Sequence, residues 1–291
     1  MLQPTQGPAH LRTLLTKDEL VIAPGVYDGL SARIAEAVGF TALYVSGGAI
    51  ARSMGYPDVG LVTQTEMLKR LEEIRAVTSL PLIVDADTGY GNAVNVVRTV
   101  RAYERAGAAA LHIEDQVEPK RCGHYEGKEI VPTSEMTQKI RAAVAARSKD
   151  GVLIIARTDA RAVLGLDEAI VRGNAYAEAG ADILFIEAPQ SEAEIERIAH
   201  EVQAPLLINM FWGGKTPLLP PVRLTELGYR LMIIPSDLQR AAIRAMQRAA
   251  RVLHEHGHTA SIAEEMVSFA ERENVIGLAL VEEMQKKFLR E

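Results

Sequence analysis

At 291 residues and a formal charge of −6, with 48 % apolar and 24 % charged residues, the chain has the make-up of a soluble globular protein with ample material for a large core. The acidic balance argues against a nucleic-acid footprint or attraction to anionic membranes, and no apolar run approaches the roughly 18–20 residues that span a bilayer. A single cysteine excludes an intrachain disulfide, and the opening MLQPTQGPAH lacks a basic stretch followed by an apolar one, so a cytoplasmic protein is expected.

Eight short apolar runs recur in chain order, at 20–23, 42–45, 81–84, 110–113, 152–156, 183–186, 205–208 and 231–234. Their apolarity is continuous rather than alternating, as strands buried on both faces require. Amphipathic stretches with helical spacing separate them, at 29–38, 65–77, 94–106, 134–146, 167–179 and 192–202. Three of these end in glycine (Gly39, Gly107 and Gly180), the residue that supplies the left-handed stop of a helix. Such βα units close most economically into a (β/α)₈ TIM barrel, with an open doubly wound sheet as the alternative.

No repeat, low-complexity tract or composition shift divides the chain. One domain over 1–291 is expected, with the barrel at about 10–256 and a helical extension at about 257–291. A helix over 237–256 is followed by a second near 260–289, which exceeds what a barrel needs and is expected to pack on a neighbouring subunit.

The strands end in polar residues: Ser46-Gly47-Gly48, Asp85-Ala86-Asp87, Glu114-Asp115, Arg157-Thr158-Asp159, Glu187, Asn209 and Ser236-Asp237. In a barrel these ends converge on one face, where catalytic residues collect. Asp159, Ser236 and Asp237 taken singly read as helix caps; capping does not account for Arg157 or for several converging carboxylates. Asp85 and Asp87 with Glu114 nearby offer hard oxygen ligands, and a divalent cation, Mg²⁺ or in its place Mn²⁺, would relieve their mutual repulsion. The competing reading is a carboxylate network neutralised by Arg157 and Lys120.

Cys122 sits in Lys120-Arg121-Cys122-Gly123-His124, after the fourth run. Its charged neighbours suggest a positive field that favours a reactive thiolate, and Gly123 and Gly127 would let the segment close over a ligand. Other features are weaker. Gly89-Tyr90-Gly91 lacks the third glycine of a dinucleotide fingerprint, and His112-x-Glu114 has no paired cysteines to complete a zinc deaminase signature. His254, His256 and His258 read as a helix-end surface cluster. Met246, Met266 and Met284 read as helix core or subunit contact. Gly213-Gly214-Lys215 reads as either an anion cradle or a flexible loop.

Over essentially its whole length the chain resembles the isocitrate lyase/phosphoenolpyruvate mutase superfamily. The resemblance is carried by Ala23-Pro24-Gly25-x-x-Asp28, Ser46-Gly47-Gly48, Asp85-Ala86-Asp87-Thr88-Gly89-Tyr90-Gly91, Ile113-Glu114-Asp115-Gln116, Lys120-Arg121-Cys122-Gly123-His124, Ala156-Arg157-Thr158-Asp159 and Glu187-Ala188-Pro189. The cysteine loop is similar to that of the lyase branch, the 2-methylisocitrate and 2,3-dimethylmalate lyases.

The resemblance implies a barrel whose last helix is swapped between subunits of a homotetramer, and a Mg²⁺-dependent cleavage of a 2-hydroxy di- or tricarboxylate to pyruvate and a second acid. It implies that Asp85 and Asp87 hold the metal, with Asp58 and Glu114 around it, and that Ser46, Gly47 and Gly48 bind the keto acid. Arg157 is implied to clamp a carboxylate and stabilise developing charge, and Cys122 to deliver a proton to the carbanion. Gly123, His124, Glu187, Asn209 and Arg240 are implied to contact the second acid, with Arg272 reaching in from the swapped region. Tyr44 is a candidate base from its position alone.

One departure concerns Phe211-Trp212, where similar lyases often carry a glutamate near 212; an indole there favours a less polar substrate, such as a methylated malate. Two other functions compete: P–C bond chemistry of the carboxyvinyl-carboxyphosphonate phosphorylmutase kind, and a catalytically silent metabolite-binding barrel.

Overall fold

The computed structural model describes residues 6–289; residues 1–5 and 290–291, the outer ends of the range read as one domain, lie outside the described residues. Eight strands run in chain order: β1 (Val21–Val26), β2 (Leu43–Val45), β3 (Leu82–Asp85), β4 (Ala110–Glu114), β5 (Leu153–Thr158), β6 (Ile183–Ile186), β7 (Leu206–Asn209) and β8 (Tyr229–Ile234). Each pairs in parallel with its sequence neighbours, and β8 returns to β1, giving a closed (β/α)₈ barrel rather than an open sheet. Every expected apolar run falls on a strand. β3, β4, β5 and β7 run further than the apolar pattern, because polar residues at their ends keep the ladder: Asp85, Glu114, Arg157 and Asn209 face the mouth, and Thr158 turns outward to Asp115.

Two apolar layers hold the barrel. The inner one combines strand residues such as Ala23, Tyr44, Ile83, Ile155 and Phe185 with Leu11 and Leu14 of the helix Pro8–Leu15. The outer layer lies between strands and helices. The helix expected over 29–38 forms as Gly29–Val38, and Gly39, Gly107 and Gly180 take φ of 103°, 91° and 104°, as helix stops should. Where β1 closes on β8 the backbones nearly touch. A Cβ on Gly25 would lie 2.3 Å from the Pro235 carbonyl oxygen, so glycine is required there.

After β8 the helix Asp237–His256 forms as expected and stops at Gly257, φ 71°, with His254, His256 and His258 exposed around it. The single helix expected over 260–289 is instead a 3₁₀ turn, Ala260–Glu265, and two helices, Phe269–Ile276 and Leu278–Phe288. The breaks have local causes: Ser268 and Glu271 form a capping box that starts a new helix, and Gly277 at φ 76° ends it. Neither of these two helices buries a residue, and Met246, Met266 and Met284 are exposed rather than in the core. Among the described residues no helix is long and apolar enough to cross a membrane.

Candidate active site

Inward-facing side chains alternate along a strand, so the residue two beyond the last inner-core position points into the mouth. Ile83 is followed by Asp85, Ala110 by His112 and Glu114, Ile155 by Arg157, Phe185 by Glu187, and Leu207 by Asn209. These polar groups, with Tyr44 and Ser46, floor the site at the C-terminal face. A cavity of about 270 Å³ opens above them.

On one side Asp85, His112 and Glu114 each present a ligand atom, all within 4.8 Å of one another. Tyr44 Oη lies 2.8 Å from His112 Nε2 and 3.4 Å from Asp85 Oδ2. Burial holds His112 neutral, its pKa lowered to about 4. Burial also opposes the Asp85 carboxylate, but His112, Lys120 and Arg157 outweigh it, and Asp85 titrates below its ordinary range. Glu114 goes the other way: burial lifts it well above the carboxylate range despite Arg157. Its Oε1 has no hydrogen-bond partner among the described residues. A buried carboxylate with an orphaned oxygen beside a carboxylate and a neutral imidazole fits a divalent cation, which would supply the missing charge. Burial and Asp85 raise the Tyr44 phenol well above its usual value, so the residue read as a base is a neutral hydrogen-bond donor.

Asp87 and Asp58 are both bound to Lys120, at 2.9 and 2.6 Å. Asp87 takes φ 46°, rare for a residue with a side chain, and its N–H donates to Asp85 Oδ1 at 3.1 Å. Burial and the adjoining Asp85 and Asp58 push its carboxyl up to about 6 against the pull of Lys120. Arg157 pairs with Glu114 at 3.0 Å, Asp159 at 3.0 Å and Glu187 at 3.6 Å. The carboxylate network read as the competitor to a metal site therefore exists. It leaves Asp85 and the free oxygen of Glu114 outside it.

Asp159, Ser236 and Asp237 are not side-chain caps. Asp159 accepts instead from Arg157 and from Lys128 at 2.8 Å, and Asp237 accepts from Trp212 N at 3.3 Å. Ser236 Oγ has no partner among the described residues. Asp159 and Ser236 do stand at the N-cap positions of the helices that follow, but neither side chain caps, and Asp159 is drawn instead to the buried cations Arg157 and Lys128.

The Cys122 loop folds over this floor. Cys122 N–H donates to Asp58 O at 3.1 Å, and Lys128 Nζ donates to Gly123 O. Contrary to the positive field suggested by Lys120, Arg121 and His124, burial raises the thiol pKa, with Asp58 and Glu187 adding to it. Lys120 turns to its carboxylates and Arg121 points to solvent, so Cys122 keeps its proton. A Cβ on Gly123 would lie 2.5 Å from Arg157 Nη2 and 2.7 Å from Glu187 Cγ, which fixes glycine at this closest approach. His124 Nε2 meets Glu187 at 3.1 Å, and its Nδ1 accepts from Lys215 N at 3.1 Å. That contact and a Lys215–Glu126 ion pair tie Gly213-Gly214-Lys215 to the loop.

Ser46 Oγ accepts from Ala49 N, capping the short helix Gly47–Ser53. Cβ atoms on Gly47 and Gly48 would meet Asp85 Oδ2 at 2.7 Å and Asp58 Oδ2 at 2.6 Å. Asn209 Nδ2 donates to Glu187 at 3.3 Å, and Arg240 binds the Trp212 carbonyl at the rim. Arg272 does not reach the cavity of its own chain; it stacks on Phe269 at 4.2 Å, exposed. Phe211, Trp212, Ile233, Pro235 and Ile243 form an apolar wall.

Three site residues escape the sequence reading. His112 shares a strand face with Glu114, and the two-residue spacing was the available signal. Lys128 and Arg52 lie on a loop and a helix, and no pattern in the chain marks either of them.

A family model described as phosphoenolpyruvate phosphomutase matches residues 11–254. The chain is 46 % identical to 2,3-dimethylmalate lyase from Eubacterium barkeri, covering 96 % of this chain and 97 % of that one. It is 47 % identical to 2-methylisocitrate lyase from Aeropyrum pernix, over 94 % and 89 %. A crystal structure of 2,3-dimethylmalate lyase, a PEP mutase/isocitrate lyase superfamily member, superposes with a TM-score of 0.91 at 38 % identity, covering 98 % and 96 %.

Proposed function

The chain belongs to the phosphoenolpyruvate phosphomutase family, within the PEP mutase/isocitrate lyase superfamily, and is a carbon–carbon lyase; we propose that, with Mg²⁺, it cleaves a 2-hydroxy acid of the 2,3-dimethylmalate or 2-methylisocitrate type to pyruvate and a second acid. The observation that carries this is a half-buried, protonated thiol, Cys122, lining the same cavity as Arg157 and Asp85. A carbanion needs a proton donor of this kind; a silent binding barrel has no use for one, and neither has P–C bond transfer.

Asp85 and Glu114, with Asp87 and Asp58 around them, would hold the cation. When bound, Mg²⁺ would polarise the oxygens of the keto-acid fragment and offset their charge. Ser46, Gly47 and Gly48 bind that fragment with hydroxyl and backbone N–H groups. Arg157 is immobilised by three carboxylates and keeps N–H donors over for a substrate carboxylate. Tyr44 is a neutral phenol, so it accepts the substrate hydroxyl proton only as it passes its own to His112 Nε2. As the C–C bond breaks, the electron pair stays on the departing fragment and Cys122 Sγ–H delivers its proton to that carbon. Gly123, His124, Glu187, Asn209 and Arg240 shape the space for the departing acid.

The apolar lining of Phe211, Trp212 and Ile243 supports a methylated dicarboxylate over a tricarboxylate, because those side chains offer a methyl group contact and a third carboxylate no partner. Residues 10–256 are read as the barrel domain. The extension from 257 is read as the means of association, its unburied helices and exposed Phe269 and Phe288 packing on a second copy in a helix-swapped tetramer, where Arg272 would enter a neighbouring site.

Pyruvate release tests the reading, measured with and without Mg²⁺ on 2,3-dimethylmalate, 2-methylisocitrate, isocitrate and oxaloacetate. Metal-dependent release, strongest from dimethylmalate, is expected. Release from none of the four would sink it.

A further inference from the structure

Among the described residues, five basic side chains line the cavity. Four of them already face carboxylates. Arg157 meets three, Lys120 meets Asp58 and Asp87, His124 meets Glu187, and Arg240 lies 3.5 Å from Asp237. Arg52 is the fifth. No carboxylate among the described residues lies within ion-pair distance of it.

Its position is built by its neighbours. Arg52 ends the helix Gly47–Ser53, one turn beyond Gly48. A Cβ on Gly48 would fall 2.9 Å from Arg52 Nη1, so the missing side chain at 48 opens the space the guanidinium enters. Asp58, the nearest candidate partner, is turned to Lys120 at 2.6 Å. What else surrounds Arg52 is the loop, with Tyr125 and Cys122 beside it. A half-buried guanidinium outside every ion pair, whose nearby carboxylate Asp58 is already held by Lys120, is a site beside the proton donor for an anion that arrives from outside.

We propose that Arg52 binds the carboxylate of the departing acid, the one attached to the carbon that Cys122 protonates. This rests on the lyase reading above. When the C–C bond breaks, the electron pair delocalises into that carboxylate, which then carries nearly two negative charges. A guanidinium already placed beside that carboxylate stabilises the added charge more than it stabilises the ground state. Arg52 thereby sets the substrate class: the departing fragment must carry a free carboxylate on the reacting carbon, and esters or amides there are not cleaved.

The test titrates wild type, Arg52→Met, Arg52→Lys and Tyr125→Phe, all with Mg²⁺, by calorimetry. Oxalate stands for the planar keto-acid fragment and propionate, the acid 2,3-dimethylmalate would release, for the departing acid. In Arg52→Met, propionate affinity is expected to fall about 10- to 100-fold, the range of one charge-assisted contact, with oxalate affinity unchanged. Arg52→Lys recovers part of the loss, and Tyr125→Phe changes neither ligand. Unchanged propionate binding in Arg52→Met, equal loss of both ligands, an equal loss in Tyr125→Phe, or no propionate binding by wild type would each overturn the assignment. A wild type that binds propionate through Arg52 yet releases no pyruvate would instead overturn the lyase reading and leave this one standing.

Discussion

Lys128 Nζ lies 2.8 Å from Asp159 Oδ1 with both side chains buried, and the same ammonium donates to the carbonyl oxygen of Gly123. One side chain thus fastens the Cys122 loop to the end of β5. Removing one partner of a buried ion pair costs about 3–5 kcal/mol. Arg157 still faces Asp159, so Lys128→Met is expected at the lower end, read by urea unfolding. The loop should also open more often. Trypsin should cut after the exposed Arg121 faster in the variant, with the barrel intact, and turnover should drop. Equal cleavage rates and unchanged turnover would mean that other contacts hold the loop.

Asp159 gives a pH dependence with a definite sign. Burial works against its carboxylate, but Arg157 and Lys128 outweigh that and lower the pKa to about 2. An unfolded aspartate titrates near 3.9. The stabilisation is therefore complete above about pH 4 and is lost as pH falls through about 2, amounting to roughly 2–3 kcal/mol. Urea stability of wild type should fall steeply below pH 4. Asp159→Asn should be less stable at neutral pH and show a shallower acid slope. Parallel slopes for the two proteins would remove Asp159 from the acid response.

The barrel was legible because strands buried on both faces must be continuously apolar, and runs such as 183–186 coincide with β6. The site floor was legible for the same reason: Asp85, Arg157 and Glu187 interrupt apolar runs at the ends of strands. What could not be read was charge state. Cys122 sits among Lys120, Arg121 and His124 in the chain, but in space Lys120 faces Asp58 and Asp87 while Asp58 and Glu187 raise the thiol. Neighbours in sequence reported the wrong field. Arg52 was invisible for a related reason, since its lack of a partner is a property of where Asp58 turns.

Cys122 should behave as an acid and not as a nucleophile. With its pKa raised, the thiolate fraction at neutral pH is below that of a free cysteine, so alkylation by iodoacetamide should be slow near pH 7. The rate should climb only at higher pH than for a small thiol. Cys122→Ser should keep oxalate and propionate binding and lose about 10²- to 10⁴-fold in turnover, the usual weight of a positioned proton donor. Turnover at the wild-type rate would take Cys122 out of the chemistry, and fast alkylation at pH 7 would contradict the raised pKa.

Metal binding can be read without turnover. Glu114 carries an oxygen without a hydrogen-bond partner and Asp85 makes no ion pair with Lys120 or Arg157, whereas Asp87 and Asp58 are already bound to Lys120. A ligand that binds only the folded protein stabilises it by about 2.7 kcal/mol at 100 times its Kd, so Mg²⁺ should raise the melting temperature of wild type and EDTA should reverse the rise. Asp85→Ala and Glu114→Gln should each abolish that rise. Asp87→Ala leaves Lys120 with Asp58 as its one paired carboxylate and raises the positive charge beside the ligands, so Mg²⁺ should still bind, but more weakly, and the metal dependence of pyruvate release should be largely lost. Glu114→Gln also separates the two roles of that carboxylate, because a neutral amide can still accept from Arg157 but is a poor Mg²⁺ ligand. A Mg²⁺-induced rise that survives in both Asp85→Ala and Glu114→Gln would place the cation elsewhere.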